Sequence, residues 1–140
     1  MTLLLGERER EAVRELFAGI EHDVELVLEL GPSSEAVTVI GGRRELEPGE
    51  ETARLVQELV ELSDRVRVRV VEHDEPGRYP TLAIGDGLRY HGLPWGYELS
   101  SLVYGIAEAG RTERELASAT REALARLERD VALEVYVTPT

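Results

Sequence analysis

The order of helical and strand periodicity along the chain is the feature that most constrains its fold. Apolar residues recur at helical spacing over residues 7–20, and a mostly apolar strand pattern follows over residues 24–30. A second helical stretch begins at Pro48-Gly49, carries acids in its first turn and runs to Leu62. Residues 66–70 alternate between valine and arginine, which is typical of a sheet-edge strand with one solvated face. This alternation of helix and strand predicts an α/β domain.

The next part of the chain predicts a hairpin and a third helix. Residues 81–84 and 88–90 have strand character, and they flank the turn sequence Gly85-Asp86-Gly87. Because glycine tolerates the positive φ of a tight turn, the two strands should pair antiparallel. Apolar residues at helical spacing over residues 99–106 then mark a helix that Gly110 should end.

Three further elements belong to the predicted order. Thr112 and Glu115 have the spacing of a capping box, which predicts the start of a fourth helix that continues to Leu127. Residues 131–137 alternate between apolar and other residues, which predicts a last strand. A further short strand is predicted over residues 36–40. No internal repeat or linker interrupts these elements, and 140 residues suit a single core.

The acidic composition limits the partners of the chain. Acidic residues number 28 against 16 basic ones, and the formal net charge is -12. Phosphate backbones and anionic membrane surfaces repel such a chain, so nucleic acid and membrane are not expected partners. No run of about 18 apolar residues occurs, and Leu3-Leu4-Leu5 lacks the basic flank of a signal peptide. The sequence therefore predicts a cytoplasmic protein.

The chain contains no cysteine. This composition excludes disulfides, thiolate metal sites, iron–sulfur clusters and thiol nucleophiles. Redox chemistry through sulfur by this chain alone is therefore excluded.

The other residues that commonly carry chemistry do not form a recognisable motif. His22, His73 and His91 are scattered, and although His73-Asp74-Glu75 resembles a metal-binding cluster, no His-x-x-x-His or Glu-x-x-His spacing occurs. Surface or capping roles are predicted for all three histidines. Neighbouring acids such as Glu50-Glu51 are explained by a solvated helix face. We expect neither a metal nor a catalytic residue.

Hydroxyl, glycine and aromatic residues also have simpler explanations than a site. No Gly-x-Ser-x-Gly motif surrounds Ser33 and Ser34, which favours a capping role, and the glycines of residues 85–87 lack the following helix of a phosphate loop. No cofactor is therefore expected. Four of the seven aromatic residues lie within fifteen positions, where core filling is favoured over a contact surface. They are Tyr90, Trp95, Tyr97 and Tyr104.

Two stretches resemble one branch of the thioredoxin-like proteins. Tyr79-Pro80-Thr81, at the entrance of a strand, resembles the cis-proline segment of that fold. The run Arg89-Tyr90-x-Gly92-x-Pro94-x-Gly96-Tyr97-Glu98-Leu99 is similar to Arg-aromatic-x-Gly-x-Pro-x-Gly-His-Glu-Phe in that branch. The branch contains protein disulfide oxidoreductases with two fused glutaredoxin-like units, and the N-terminal module of the flavoprotein subunit of alkyl hydroperoxide reductase.

This resemblance implies a thioredoxin-like (glutaredoxin-like) fold. The expected architecture is three-layer α/β/α, with a central mixed sheet of about four strands and an extra C-terminal strand. Residues 1–130 would form the unit, without Cys-x-x-Cys, and residues 131–140 resemble the start of a second unit. Only residues 74–79 separate the edge strand from Pro80, which is too short for the usual crossover helix and is similar to the flavoprotein branch.

The resemblance also implies positions equivalent to functional residues of the family. They are Pro80 as the cis-proline, Ser33 and Ser34 near the lost Cys-x-x-Cys, and Gly92, Pro94, Gly96 and Glu98 in the shared run.

The resemblance implies a redox-inactive scaffold or protein-docking module in a disulfide or peroxide reductase system. The alternative is an N-terminal fragment of a two-unit disulfide oxidoreductase whose Cys-x-x-Cys follows Thr140. A third interpretation is an unrelated enzyme that uses carboxylates or His73. Expected partners are another protein, a second thioredoxin-like unit, or a second copy of the chain in a weak, strand-mediated homodimer.

Overall fold

The computed structural model describes residues 3–32 and 48–137. The elements within them follow the predicted order of helices and strands. They are α1 (Glu7–Phe17), β1 (Val24–Leu30), α2 (Pro48–Val60), β2 (Val66–Glu72), β3 (Thr81–Ile84), β4 (Leu88–His91), α3 (Tyr97–Ala109) and α4 (Ser118–Ala125). The strand predicted at residues 36–40 lies outside the described residues. None of the described helices is long and apolar enough to cross a membrane.

The four strands form one mixed sheet in the order β2-β1-β3-β4. β1 and β2 run parallel, with Val24 opposite Val66, whereas β3 is antiparallel to both β1 and β4. The alternating valine–arginine strand is therefore at the edge, as predicted. The hairpin is also confirmed, and Gly85 adopts the positive φ of 55° that its turn requires.

The core lies on one face of this sheet. Alternate residues of β1 and β3 point into it, and α1, α2 and α3 all contribute side chains to the same apolar cluster. The residues of this cluster that are fully buried include Leu26, Leu28, Leu55, Leu59, Leu82, Leu102 and Ile106. A sheet covered by amphipathic helices in this way explains why aliphatic residues dominate the chain's interior.

The opposite face of the sheet is charged and is not covered by a helix in the described parts of the chain. Glu25 on β1 pairs with Arg69 on β2 at 3.1 Å, and both side chains are exposed. The predicted α/β fold with a central mixed sheet of about four strands is confirmed. The short connection between β2 and β3, residues 73–80, contains no helix.

The N-terminal segment is fixed to α2 by a buried carboxylate. Glu58 is only 7% exposed and accepts hydrogen bonds from the backbone N–H groups of Leu4 and Leu5, at 2.6 and 3.0 Å. The Arg10 guanidinium lies 3.5 Å from the same carboxylate. Leu5 is thereby held in the core, where 2% of its surface remains exposed. Periodicity gave no sign of this contact, because Glu58 occupies a polar position of an amphipathic helix.

The predicted capping box at Thr112 is wrong. α4 begins at Ser118, and its N-cap Ala117 offers no side-chain hydrogen bond. The Thr112 hydroxyl instead donates to Glu21 at 2.5 Å and accepts a hydrogen bond from His22 Nε2 at 2.8 Å. These partners are 91 and 90 positions earlier in the sequence, so local spacing could not predict them.

Residues 112–137, which we call the C-terminal arm, lie outside the core. Each of them is exposed, including the whole of α4. The strand predicted at residues 131–137 pairs with no strand of the described chain, and it is therefore not part of the observed sheet.

Candidate functional site

The candidate site lies where β1 and β2 end, next to the short connection to β3. Because β1 and β2 are parallel, their carboxyl ends meet at the same edge of the sheet, where ligands of α/β proteins commonly bind. The two exits are joined by hydrogen bonds: His73 N–H donates to Leu30 O at 2.8 Å, and Gly77 N–H donates to Pro32 O at 3.0 Å. The first residues after β1 are thus held against the connection.

A tyrosine ring fills the space between these two segments. Tyr79 stacks on the His73 imidazole, with ring centroids 4.9 Å apart and planes 10° apart. Its ring also lies against Gly31 and Gly77, where an added Cβ would be 2.7 Å from ring carbons. Both positions therefore require glycine for as long as Tyr79 keeps its place.

A carboxylate completes this group. Glu29 Oε1 lies 3.0 Å from His73 Nε2, and both side chains are half-buried. We call Glu29, Gly31, His73, Gly77 and Tyr79 the Tyr79 cluster. The cluster was missed at the sequence level, although a glycine directly after β1 and another in a very short connection were its visible signals.

Pro80 follows the cluster, and the Tyr79–Pro80 peptide bond is cis. The proline is buried, and its carbonyl accepts a hydrogen bond from Gly92 N–H at 2.9 Å. The hydroxyl of the neighbouring Thr81 donates to Arg78 O at 2.7 Å and lies 2.9 Å from His91 Nδ1. Since the hydroxyl proton is used by the carbonyl, Nδ1 is assigned as the donor to Thr81. The segment is therefore held from both sides.

A pocket that is open to the surface adjoins the cluster and is lined by apolar and polar residues. It has a volume of about 250 Å³ and is formed by the ends of β1 and β2. Its lining residues are Leu30, Gly31, Glu72, His73 and Asp74. In residues 3–32 and 48–137 no three histidine, aspartate or glutamate side chains converge as a metal site would require. The chemistry available here is that of an imidazole and carboxylates.

The three histidines each have a hydrogen-bond partner. His22 and His91 are exposed and bond to threonine hydroxyls, whereas His73 is half-buried between Glu29 and Tyr79. The surface or capping role predicted from the sequence thus describes His22 and His91. His73 differs, because two side chains fix its ring.

The run from Arg89 to Leu99 forms the end of β4 and the entrance of α3. Gly92 and Gly96 have positive φ angles of 89° and 66°, a region that side-chain-bearing residues rarely adopt. Pro94 is fully buried between them, and Glu98 lies in the first turn of α3, where the helix dipole favours an acid. The backbone thus explains the glycines. Ser33 and Ser34 lie outside the described residues.

Most of the clustered aromatic residues do not fill the core. Trp95, Tyr97 and Tyr104 are 44%, 87% and 61% exposed, which contradicts the favoured sequence interpretation. Tyr90 alone packs partly against the core, and its hydroxyl bonds to Ser101 at 2.9 Å. The buried face of α3 is already filled by aliphatic residues such as Leu102 and Ile106. We call Tyr97 and Tyr104, which lie seven positions apart on α3, the aromatic patch.

Comparisons with known proteins agree with this geometry. No protein-family model matches the chain. The AhpF protein of the alkyl hydroperoxide reductase from Xanthomonas campestris pv. phaseoli is 33% identical over 87 residues, which cover 59% of this chain and 16% of that protein. The chain therefore corresponds to a small part of this relative.

Solved structures extend the likeness to most of the chain. The AhpF protein of the Enterococcus faecalis alkylhydroperoxide reductase (C503A mutant) superposes with a TM-score of 0.70 at 19% identity, covering 88% of this chain and 61% of that one. A protein disulfide oxidoreductase from Aeropyrum pernix K1 gives a TM-score of 0.69 at 27% identity, covering 90% of this chain and 56% of that one. The chain is thus a thioredoxin-like unit similar to those of the alkyl hydroperoxide reductase protein AhpF and of protein disulfide oxidoreductase.

Proposed function

We propose that this chain is a docking or scaffold module of a disulfide or peroxide reductase system and transfers no electrons itself. The observation that carries the proposal is the Tyr79 cluster, combined with a sequence that contains no cysteine. In the first unit of the protein disulfide oxidoreductases that the chain resembles, a Cys-x-x-Cys follows the first strand, whereas the first unit of the flavoprotein module has lost its cysteines. Here Gly31-Pro32-Ser33-Ser34 follows the first strand, and Tyr79 packs against the first of these residues.

The chemistry of the exchange reaction supports this assignment. Thiol–disulfide exchange requires a thiolate that attacks one sulfur of a disulfide while the other sulfur leaves as a thiolate. A serine hydroxyl is not deprotonated at neutral pH without a strong base and forms no comparable bond to sulfur. The chain can therefore position a redox partner but cannot replace it.

The aromatic patch supplies the docking surface in this proposal. Tyrosine and tryptophan are enriched at protein interfaces, where they bury a large area at a low cost in conformational entropy. Tyr97 and Tyr104 are seven positions apart on α3 and so share one exposed face. The proposed partner is a cysteine-bearing thioredoxin-like unit or a peroxiredoxin of the same organism.

Binding and turnover together test the proposal. The purified chain should reduce neither insulin disulfides nor a peroxide above the rate of buffer. It should bind one of the two partners in a titration, and the variant Tyr97→Ser/Tyr104→Ser should bind at least about tenfold more weakly. Tyr136→Ser, which removes an exposed tyrosine of the C-terminal arm, is the matched control. Turnover that follows the chain through purification, or unchanged binding by the double variant, would contradict the proposal.

A second candidate is the first unit of a longer disulfide oxidoreductase. The exposed C-terminal arm favours it, because a second unit would cover these apolar side chains. Sequencing the transcript past the Thr140 codon tests this candidate. An in-frame continuation that encodes Cys-x-x-Cys would support this candidate, and a stop codon directly after Thr140 would exclude it.

A further inference from the structure

The C-terminal arm exposes more large apolar side chains than any other part of the described chain. Leu133 and Val135 are 87% and 83% exposed, and α4, with eight residues, buries none of its side chains. An isolated helix of this length is marginal in water, and a contiguous exposed apolar surface marks an interaction site. The large apolar residues of the arm are Leu116, Leu124, Leu127, Val131, Leu133, Val135, Tyr136 and Val137.

The free edge of β2 offers a matching surface. Its outer side has no neighbouring strand among the described residues, because β2 ends the sheet. On the core face, Val66 is buried but Val68 is half-buried and Val70 is 51% exposed, so an apolar row continues uncovered along the edge. On the other face, Arg67 and Arg69 are exposed and form ion pairs with Asp23 and Glu25 of the same chain, at 3.7 and 3.1 Å. An unpaired strand of this kind is a template for an added strand.

Residues 131–137 have the complementary pattern. Both segments are seven residues long, and side chains on a strand alternate between the faces. When Val131, Leu133, Val135 and Val137 face the core side, Glu134 faces the side that carries Arg67 and Arg69. Apolar residues then lie beside apolar residues, and the acid lies beside the arginines.

We propose that residues 131–137 of one copy of this chain add to the β2 edge of a second copy. The exchange is reciprocal: the arm of each copy pairs with the β2 edge of the other. The two copies are then related by a two-fold axis, and the assembly is a closed dimer. The pairing covers Val68 and Val70 and moves Glu134 from its hydrogen bond with the Tyr136 hydroxyl, at 2.8 Å, to the arginines. The Arg67 and Arg69 side chains remain 73% and 61% exposed in their ion pairs, and a guanidinium has five N–H donors, so Glu134 can bind them beside Asp23 and Glu25.

The other sheet edge is a poorer acceptor. β4 is only four residues long and presents one arginine, Arg89, where β2 presents two. It would pair with about half of the arm segment. Backbone hydrogen bonds are the main source of affinity in strand addition, so the longer edge is preferred.

Sedimentation equilibrium of the full chain tests the dimer. The mass should rise from that of a monomer to that of a dimer between micromolar and millimolar concentration. Glu134→Arg should weaken dimerisation at least about tenfold, because it places a third cation beside Arg67 and Arg69. Glu128→Arg changes the net charge equally outside the pairing segment, and its dimerisation should change by less than about threefold. A monomer at every concentration, or equal effects of the two variants, would overturn the proposal.

Engineered cysteines identify the edge, and the cysteine-free sequence makes this experiment specific. A copy carrying Glu134→Cys is mixed with a tagged copy carrying Arg69→Cys, and a mixed disulfide should form under mild oxidation. The control replaces the tagged copy with one carrying Arg89→Cys on β4, which should link at least about tenfold more slowly. All three sites are exposed, so folding is retained. Faster linking at Arg89 would place the arm on the other edge and refute the proposal.

Discussion

Two regions of this chain carry similar amphipathic patterns but differ in what their apolar residues contact. The packed unit, which ends at Gly110, contains α3, whose residues Leu102 and Ile106 are fully buried. The C-terminal arm contains α4, whose Leu124 is 52% exposed. The comparison shows that an apolar stripe predicts a helix but not a tertiary contact. Most helix stability in proteins comes from the surface that buries the stripe, and α4 has no such surface in the described chain.

The largest expected difference is in the free energy of unfolding, when one leucine in each region is replaced by alanine. Leu102→Ala should lower the free energy of unfolding by about 2–5 kcal/mol, because it leaves a cavity in the packed core. Leu124→Ala should change it by less than about 0.5 kcal/mol at concentrations where the chain is monomeric. Urea unfolding followed by circular dichroism measures both values. Equal losses would mean that the arm packs against the unit.

The N-terminal segment gives the next contrast. Glu58→Gln removes the charge that holds Leu4, Leu5 and Arg10, and should lower the free energy of unfolding by about 1.5–3 kcal/mol. Hydrogen exchange at the amides of Leu4 and Leu5 should become faster. Glu61→Gln is the control, because Glu61 is exposed and lies 3.8 Å from Arg10. Unchanged exchange in the Glu58 variant would show that burial alone fixes the segment.

The Tyr79 cluster tests how tightly the candidate site is packed. Gly31→Ala places a Cβ within 2.7 Å of the Tyr79 ring and should cost about 1–3 kcal/mol of stability. Gly87→Ala is the control, since nothing lies within 4 Å of its added Cβ. Combining Gly31→Ala with Tyr79→Ala should cost less than the sum of the single changes. Additive costs would show that the ring does not press on Gly31.

The smallest expected effect is a change in the pKa of Glu21, which bonds to Thr112 where the packed unit meets the C-terminal arm. The hydrogen bond from the Thr112 hydroxyl, more than any other contact, holds the pKa of Glu21 below its ordinary value. Because the pKa of Glu21 is lower in the folded chain than in the unfolded chain, this hydrogen bond stabilises the fold when the pH is above the ordinary carboxyl pKa. The stabilisation is lost as the pH falls through the pKa of the folded chain. Thr112→Val should therefore raise the pKa of Glu21 in an NMR titration. An unchanged titration would assign the shift to other neighbours.

The sequence predicted the packed unit well because its signals are local. The periods of α1, α2 and α3, the alternation of β2 and the glycine turn before β4 each report which side chains face one sheet. The resemblance to thioredoxin-like units added the topology and pointed to Pro80, whose peptide bond is cis in the structure. Both sources describe burial and backbone shape, which short stretches of sequence encode.

The parts that were missed depend on contacts between distant residues. Thr112 has the spacing of a helix cap, but its hydroxyl donates to Glu21 and accepts from His22 instead of from a backbone N–H group. Aromatic side chains such as those of Tyr97 and Tyr104 commonly fill a core. Here, however, they lie on the exposed face of α3, and the opposite face packs against the sheet. His73 is fixed by Glu29 and Tyr79 rather than by its acidic sequence neighbours. Which of several possible partners such a residue contacts depends on the tertiary structure.

Gly110 has a consequence for how this unit can evolve. Its carbonyl accepts hydrogen bonds from the N–H groups of Glu21 and His22, at 2.8 and 2.9 Å, and an added Cβ would lie 2.5 Å from Ile20. The last helix of the packed unit is thereby fastened to the start of β1 immediately before the exposed segment begins. Recombination just after this glycine would replace the C-terminal segment and leave the core of the packed unit unchanged. The position is therefore a suitable fusion point for chimaeric proteins.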